Sequence, residues 1–403
     1  MTYGRCFMAG VIGLLLLLVA GSLPSHGDQE QPAAFPPAPG ETEQPTAIMP
    51  CPAPSGALST ALETVADPPV PTPVSGWGTP LPADAVPTPT AVLPSSAPAR
   101  AAAGPSVVEV RGEPYDYKYY VNGEPVVIRG MGYNVAYRAW GWDCAARARR
   151  YDRDFAAMRA VGVNTLVGWD EGEFDDLTMA KAAEYGLGVI FPYDFPPDVD
   201  WADPAEREIH RQRVETRVRR YAGHPALRMW GLGNEVMYLM GGATSARAQA
   251  FGEFFAELAE EVHALDPIHP IIYRDSEDLY LAPVQTALRA RGLEQPWMVY
   301  GMTIFSLRLE SILDEWPSQD FRVPLLVSEF NVADYPREER AAGLMRMWDV
   351  IRDHRAYVLG GSVYAWTTEG LETSDATIFG LVDNQNRPVD GALEALRVAL
   401  SAP

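Results

Sequence analysis

Eight short apolar runs separated by amphipathic helical stripes, over roughly 300 residues, predict an α/β chain folded as a (β/α)8 TIM barrel. Two observations carry this. The runs lack polar–apolar alternation, as expected of parallel strands covered on both faces. The stretches between them repeat apolar residues every three or four positions, as helices do when one face packs on a sheet. A doubly wound open sheet would alternate in the same way, but the count of eight favours the barrel. Ahead of the barrel the sequence places a short β-hairpin and a disordered Pro-rich tether.

Residues 1–23 read as a signal peptide. Arg5 precedes an apolar core from Met8 to Ala20, too short to span a bilayer, and small residues follow it. Residues 24–104 read as the tether and hold more than half of the 36 prolines. Proline removes backbone donors and fixes φ, so this stretch builds neither sheet nor core. Residues 105–403 read as the barrel domain, large enough to bury its own core. Of the three cysteines, Cys6 lies in the leader, Cys51 in the tether and Cys144 alone in the domain, so no disulfide framework is expected. Export nevertheless fits a secreted or cell-surface protein.

Within the domain, Asn122-Gly123 between two β-rich runs is a hairpin signal. The strand candidates are 126–134, 164–169, 188–195, 227–235, 270–275, 297–305, 324–330 and 360–366. Helices are expected between them. One has Tyr151, Phe155 and Met158 on a single face. The next opens with Asp203, Pro204 and Glu206 as cap, first-turn proline and capping-box acid, and carries Val214, Val218 and Tyr221. Further stripes run through Phe251, Phe254, Phe255, Leu258 and Val262, through Leu344, Met347, Trp348 and Ile351, and through Leu393, Leu396 and Leu400. These read as surfaces facing the core.

The formal net charge of −21 argues against nucleic acid and against anionic membranes as partners, and it disfavours a polyanionic substrate. No HExxH, cysteine cluster or carboxylate run points to a metal. No phosphate-binding glycine loop or serine elbow points to a cofactor or a hydrolytic triad.

A barrel builds its site at the C-terminal ends of its strands. The fourth strand ends in Asn234-Glu235 and the seventh in Ser328-Glu329. Two glutamates at those ends face each other across the mouth. A retaining glycosidase needs that pairing: a protonated acid and an ionised nucleophile, about 5–5.5 Å apart.

Here the chain resembles a family. "NGEPVVIRGMGYN", "RDFAAMRAVGVNTL", "GHPALRMWGLGNE", "VSEF" and "GLVDNQNRPVDGALEAL" follow in order. Together they are similar to the catalytic barrel of family 2 glycoside hydrolases and their relatives in the same retaining clan. The resemblance implies that Glu235 is the acid/base, Glu329 the nucleophile, Asn234 the amide on the sugar 2-hydroxyl and Trp366 the aromatic floor of the first subsite. It also exposes two departures. Where the clan carries an arginine on strand two and a tyrosine on strand six, this chain has Val167 and Phe305. Arg274 and Tyr300 are the available substitutes. Asn134, Trp169, Tyr193 and Asp194 end early strands and are expected to bind sugar, as are the weaker Trp140, Trp142, Asp170 and Trp201. Each of these also suits packing or loop solvation. The implied activity is hydrolysis of a neutral β-glycoside or β-glycan. A transglycosylase and a degenerate sugar-binding barrel are the rival readings.

Overall fold

The computed structural model describes residues 104–133, 143–169, 171–278, 280–306, 308–332, 339–367, 379–383 and 386–401. Residues 1–103, the expected leader and all but the last residue of the expected tether, fall outside them, as do Asn134, Trp140, Trp142 and Asp170.

Eight parallel strands close into a barrel, in sequence order around the ring: β4 (Ile128–Gly132), β5 (Thr165–Val167), β6 (Gly188–Tyr193), β7 (Leu227–Leu232), β8 (Ile271–Ser276), β9 (Met298–Ile304), β10 (Leu325–Phe330) and β11 (Val358–Val363). Every sequence-predicted strand is present, with ends shifted by at most three residues. All residues of β5, β6, β9, β10 and β11 are buried, which explains why their sequences do not alternate.

The hairpin is present too. Asn122 and Gly123 both take positive φ, +53° and +84°, between β2 (Asp116–Val121) and β3 (Glu124–Pro125). A further strand, β1 (Val108–Glu113), pairs antiparallel with β2. This small sheet closes the N-terminal end of the barrel. Val108 N–H donates to Ile268 O and Tyr117 N–H to Ala356 O, both in turns that precede strands. Tyr117 and Tyr119 are buried there. Just before β1, the buried Ser106 hydroxyl donates to Leu227 O and lies 3.3 Å from His269 Nε2. His269 Nδ1 in turn sits 2.8 Å from Asp266 Oδ2, which also accepts from Trp230 Nε1 at 2.8 Å. The domain is therefore pinned to its own base from its first residues.

The helices surround the ring: α1 (Cys144–Ala160), α2 (Asp176–Glu184), α3 (Pro204–Tyr221), α4 (Val236–Leu239), α5 (Ala246–Leu265), α6 (Ala282–Ala290), α7 (Leu309–Glu315), α8 (Arg340–Asp353) and α9 (Ala392–Ser401). Their predicted stripes are buried, from Tyr151, Phe155 and Met158 on α1 to the five-residue stripe of α5. Asp203 caps α3 by accepting from Ala205 N–H at 2.8 Å, with Pro204 in the first turn. No described helix is long and apolar enough to cross a membrane.

Cys144, the first residue of α1, is disulfide-bonded. The chain's other two cysteines, Cys6 and Cys51, lie outside the described residues.

Candidate active site

β7 ends at Leu232, and the chain then turns through Gly233 at φ +87° and Glu235 at φ +51° before entering α4. Glycine meets such a φ freely, whereas a glutamate rarely adopts it, so the turn at Glu235 must be held by its surroundings. Glu235 N–H donates to Arg274 O at 3.1 Å, tying the turn to the neighbouring strand. Opposite, Glu329 is 5% exposed near the end of β10. The register of β10 against β9 slips between Leu326 and Glu329, and against β11 between Val327 and Phe330. Such irregularities re-aim side chains at barrel rims.

Both carboxyls are driven above the ordinary carboxylate range. For Glu235 the causes are burial first, then the charge of Glu329, then that of Asp275, with Arg274 opposing. For Glu329 burial raises the value and Arg274 lowers it. Two carboxyls in each other's field cannot both ionise cheaply. The cation acts as the main counterweight on Glu329 but ranks last on Glu235. Arg274 favours the ionised form of Glu329, while the charges of Glu329 and Asp275 favour the protonated form of Glu235.

Arg274 is fully buried inside the barrel. Its Nη1 donates to Gly168 O at 2.6 Å, at the tip of strand two, and its Nε to Gly233 O at 3.3 Å. Nη2 has no protein partner. Gly301 makes this path available, since a Cβ there would sit 2.6 Å from Arg274 Cγ. A guanidinium from strand five thus reaches the tip of strand two, where Val167 is fully buried and apolar. Tyr300, the other suggested substitute, is packed against Trp316 and Phe321, with ring centroids 6.4 and 5.5 Å away.

Several buried polar atoms at the tips of strands four to seven lack a protein partner: Asn234 Oδ1, Arg274 Nη2, Thr303 Oγ1, Ser328 Oγ and Glu329 Oε1. Such atoms are costly unless something else binds them. These five lie at the end of the barrel that carries Glu235 and Glu329.

The aromatic predictions divide. Trp169 is half-buried at the mouth, its ring 5.3 Å from that of Tyr364. The ring of Phe305 also lies 5.5 Å from that of Tyr364, edge to face. Tyr364, immediately after β11, is itself half-buried, and no sequence feature singled it out. Trp366, expected as the sugar platform, is fully buried, and its backbone N–H donates to Gly132 O at 3.0 Å. Tyr193 is likewise buried, with its hydroxyl 3.4 Å from His210 Nδ1 and the Arg213 guanidinium over its ring. Trp201 stacks on Phe254 in the core. Asp194 is exposed; its backbone N–H donates to Glu171 Oε2 at 3.3 Å and its charge reaches Arg274. The strongest residue missed in the sequence is Asp275, buried beside Glu235. Its signal was present in the sequence, as an acid next to a basic residue at a strand end.

Residues 181–384, half of the chain, match the family described as glycosyl hydrolases family 2, TIM barrel domain. The chain is 23% identical over 306 residues to the β-glucuronidase of Sus scrofa, covering 68% of this chain and 44% of that protein. It is 22% identical over 289 residues to the human enzyme, covering 65% and 41%. The chain thus spans less than half the length of these curated relatives. Among solved structures, the β-glucuronidase of Bifidobacterium dentium superposes with a TM-score of 0.58 at 17% identity, covering 74% of this chain and 49% of that one. The β-galacturonidase of Eisenbergiella tayi does so with a TM-score of 0.56 at 17% identity, covering 73% and 54%. With eight strands closed in order and the glutamate-bearing tips of strands four and seven both inside the matched segment, this chain belongs to glycosyl hydrolase family 2, through its TIM barrel domain.

Proposed function

We propose that the barrel hydrolyses the O-glycosidic bond of a β-glycoside with retention of configuration. The observation that carries this is the pair Glu235 and Glu329, both buried and both raised, with the charge of Glu329 acting on Glu235, among unpartnered polar atoms at the strand tips. Glu235 carries the proton and gives it to the glycosidic oxygen as the bond to the anomeric carbon breaks. The Glu329 carboxylate attacks that carbon and forms a glycosyl ester. Glu235, now ionised, takes a proton from water. The water oxygen attacks the anomeric carbon and frees Glu329. Asn234 Oδ1 is open to accept a hydrogen bond from a sugar hydroxyl, and Trp169 and Tyr364 offer ring faces to the pyranose.

The relatives are named for uronides. In this chain the one fully buried cation on the described barrel strands, Arg274, faces the two glutamates and two carbonyls, and the net charge is −21. Both points favour a neutral sugar. The leader and the disulfide at Cys144 fit action outside the cytoplasm.

Aryl β-glucosides, β-galactosides and β-mannosides, with the matching β-uronides, test the reading. Turnover of a neutral member with a β-configured first product is expected. Glu329→Gln should abolish turnover. Glu235→Ala should spare activated aryl glycosides and, with azide, yield a β-glycosyl azide. Binding without turnover of any β-glycoside, equal in both variants, would leave a sugar-binding barrel, and products transferred only to sugar acceptors would indicate a transglycosylase.

A further inference from the structure

The left-handed turn at Glu235 opens α4, a helix of four residues with no side-chain cap of its own. A single helical turn does not hold itself. Its amides are instead met by the next strand. Asp275 Oδ2 accepts from Met237 N–H at 2.9 Å, and Oδ1 accepts from Tyr238 N–H at 3.2 Å. Each oxygen takes a second donor: the Tyr273 hydroxyl at 2.5 Å on Oδ2 and Ser276 N–H at 2.8 Å on Oδ1. The carboxylate is fully buried. The neighbouring residue on the same strand supplies the carbonyl that binds Glu235 N–H. The tip of β8 therefore grips the Glu235 turn twice, once through backbone and once through a side chain saturated with donors.

We propose that Asp275 is a positioning residue for Glu235, clamping the turn that aims its carboxyl into the mouth and placing a fixed negative charge behind it. This rests on Glu235 being the acid of the proposed reaction. A negative neighbour discourages ionisation of Glu235, so the acid keeps its proton at higher pH. The groups facing Glu235 are Glu329 from β10 and Arg274 and Asp275 from β8. Tyr280, beyond β8, feels both Asp275 and Glu235. Four donors also favour the charged form of Asp275 against the burial that raises its own value to about 6.

Asp275→Asn separates charge from shape, because its amide oxygen still accepts one of the α4 amides. Carboxyl titration of ¹³C-glutamate-labelled protein, assigned with Glu235→Gln, reads Glu235 directly. Its midpoint should fall by roughly 1 pH unit in Asp275→Asn, and by less in Tyr273→Phe, which removes one donor from the carboxylate. The alkaline limb of kcat/KM should move down in parallel. Aryl glycosides with poor leaving groups should lose roughly tenfold or more, and activated ones much less. A wild type that turns over no β-glycoside would remove the catalytic reading while leaving the titration to decide the clamp. An unmoved Glu235 midpoint in both variants, or a loss independent of the leaving group, would overturn the proposal.

Discussion

Arg274→Met should move the acidic limb of the pH–rate profile upward. Glu329 must be ionised to attack, and the Arg274 charge is what counters the effect of its burial. Removing an opposite charge of this kind raises a carboxyl by about 1–2 units. Each unit is tenfold in the ionised fraction, or 1.36 kcal/mol, so kcat/KM below the limb should fall about 10- to 100-fold. Above the limb the variant should recover toward wild type, until loss of the Glu235 proton closes the window. Methionine fills a similar volume but leaves Gly168 O and Gly233 O without their donor, costing about 1–3 kcal/mol of stability. The assay is kcat/KM for an activated aryl β-glycoside at closely spaced pH values, with thermal denaturation in the same buffers. Arg274→Lys should shift the limb less, since the charge survives while the two-carbonyl bridge does not. A uniform loss at every pH, with the limb in place, would mean that Arg274 only holds strands together.

Two further outcomes follow from the same geometry. Glu235 has a native value raised above its unfolded one, so the stabilisation from its neutral form is complete below the unfolded value and is lost as pH rises through the native value. Glu235→Gln should therefore gain melting temperature over wild type progressively toward alkaline pH, and a gap independent of pH would refute the assignment. Ser106→Ala should lower unfolding free energy by about 1–2 kcal/mol, because Ser106 is a buried donor to the barrel base. An unchanged urea midpoint would show that this anchor is idle.

The barrel and the two strand-end glutamates are legible in the amino-acid sequence. Strands buried on both faces must be written in continuous apolar runs, and eight such runs have few ways to close. A carboxylate ending an apolar run has no local partner, so Glu235 and Glu329 stood out without coordinates. Asn122-Gly123 was equally local: its positive φ values are a property of two residues.

Which way a strand tip points, and which distant tip it meets, is not written locally. Trp366 and Tyr364 lie two residues apart after the same strand, yet the tryptophan is buried and the tyrosine reaches the mouth. Arg274 and Asp275 are adjacent, yet one crosses the interior to Gly168 while the other clamps the turn after β7. The guanidinium at the strand-two tip comes from a residue 106 positions away in the chain. No spacing rule records that, because it depends on the closure of the ring and on the space left by Gly301. Periodicity fixes which residues share an element. Long-range packing fixes which charges share a field, and here it brings Arg274, Asp275 and Glu329 into the field of Glu235.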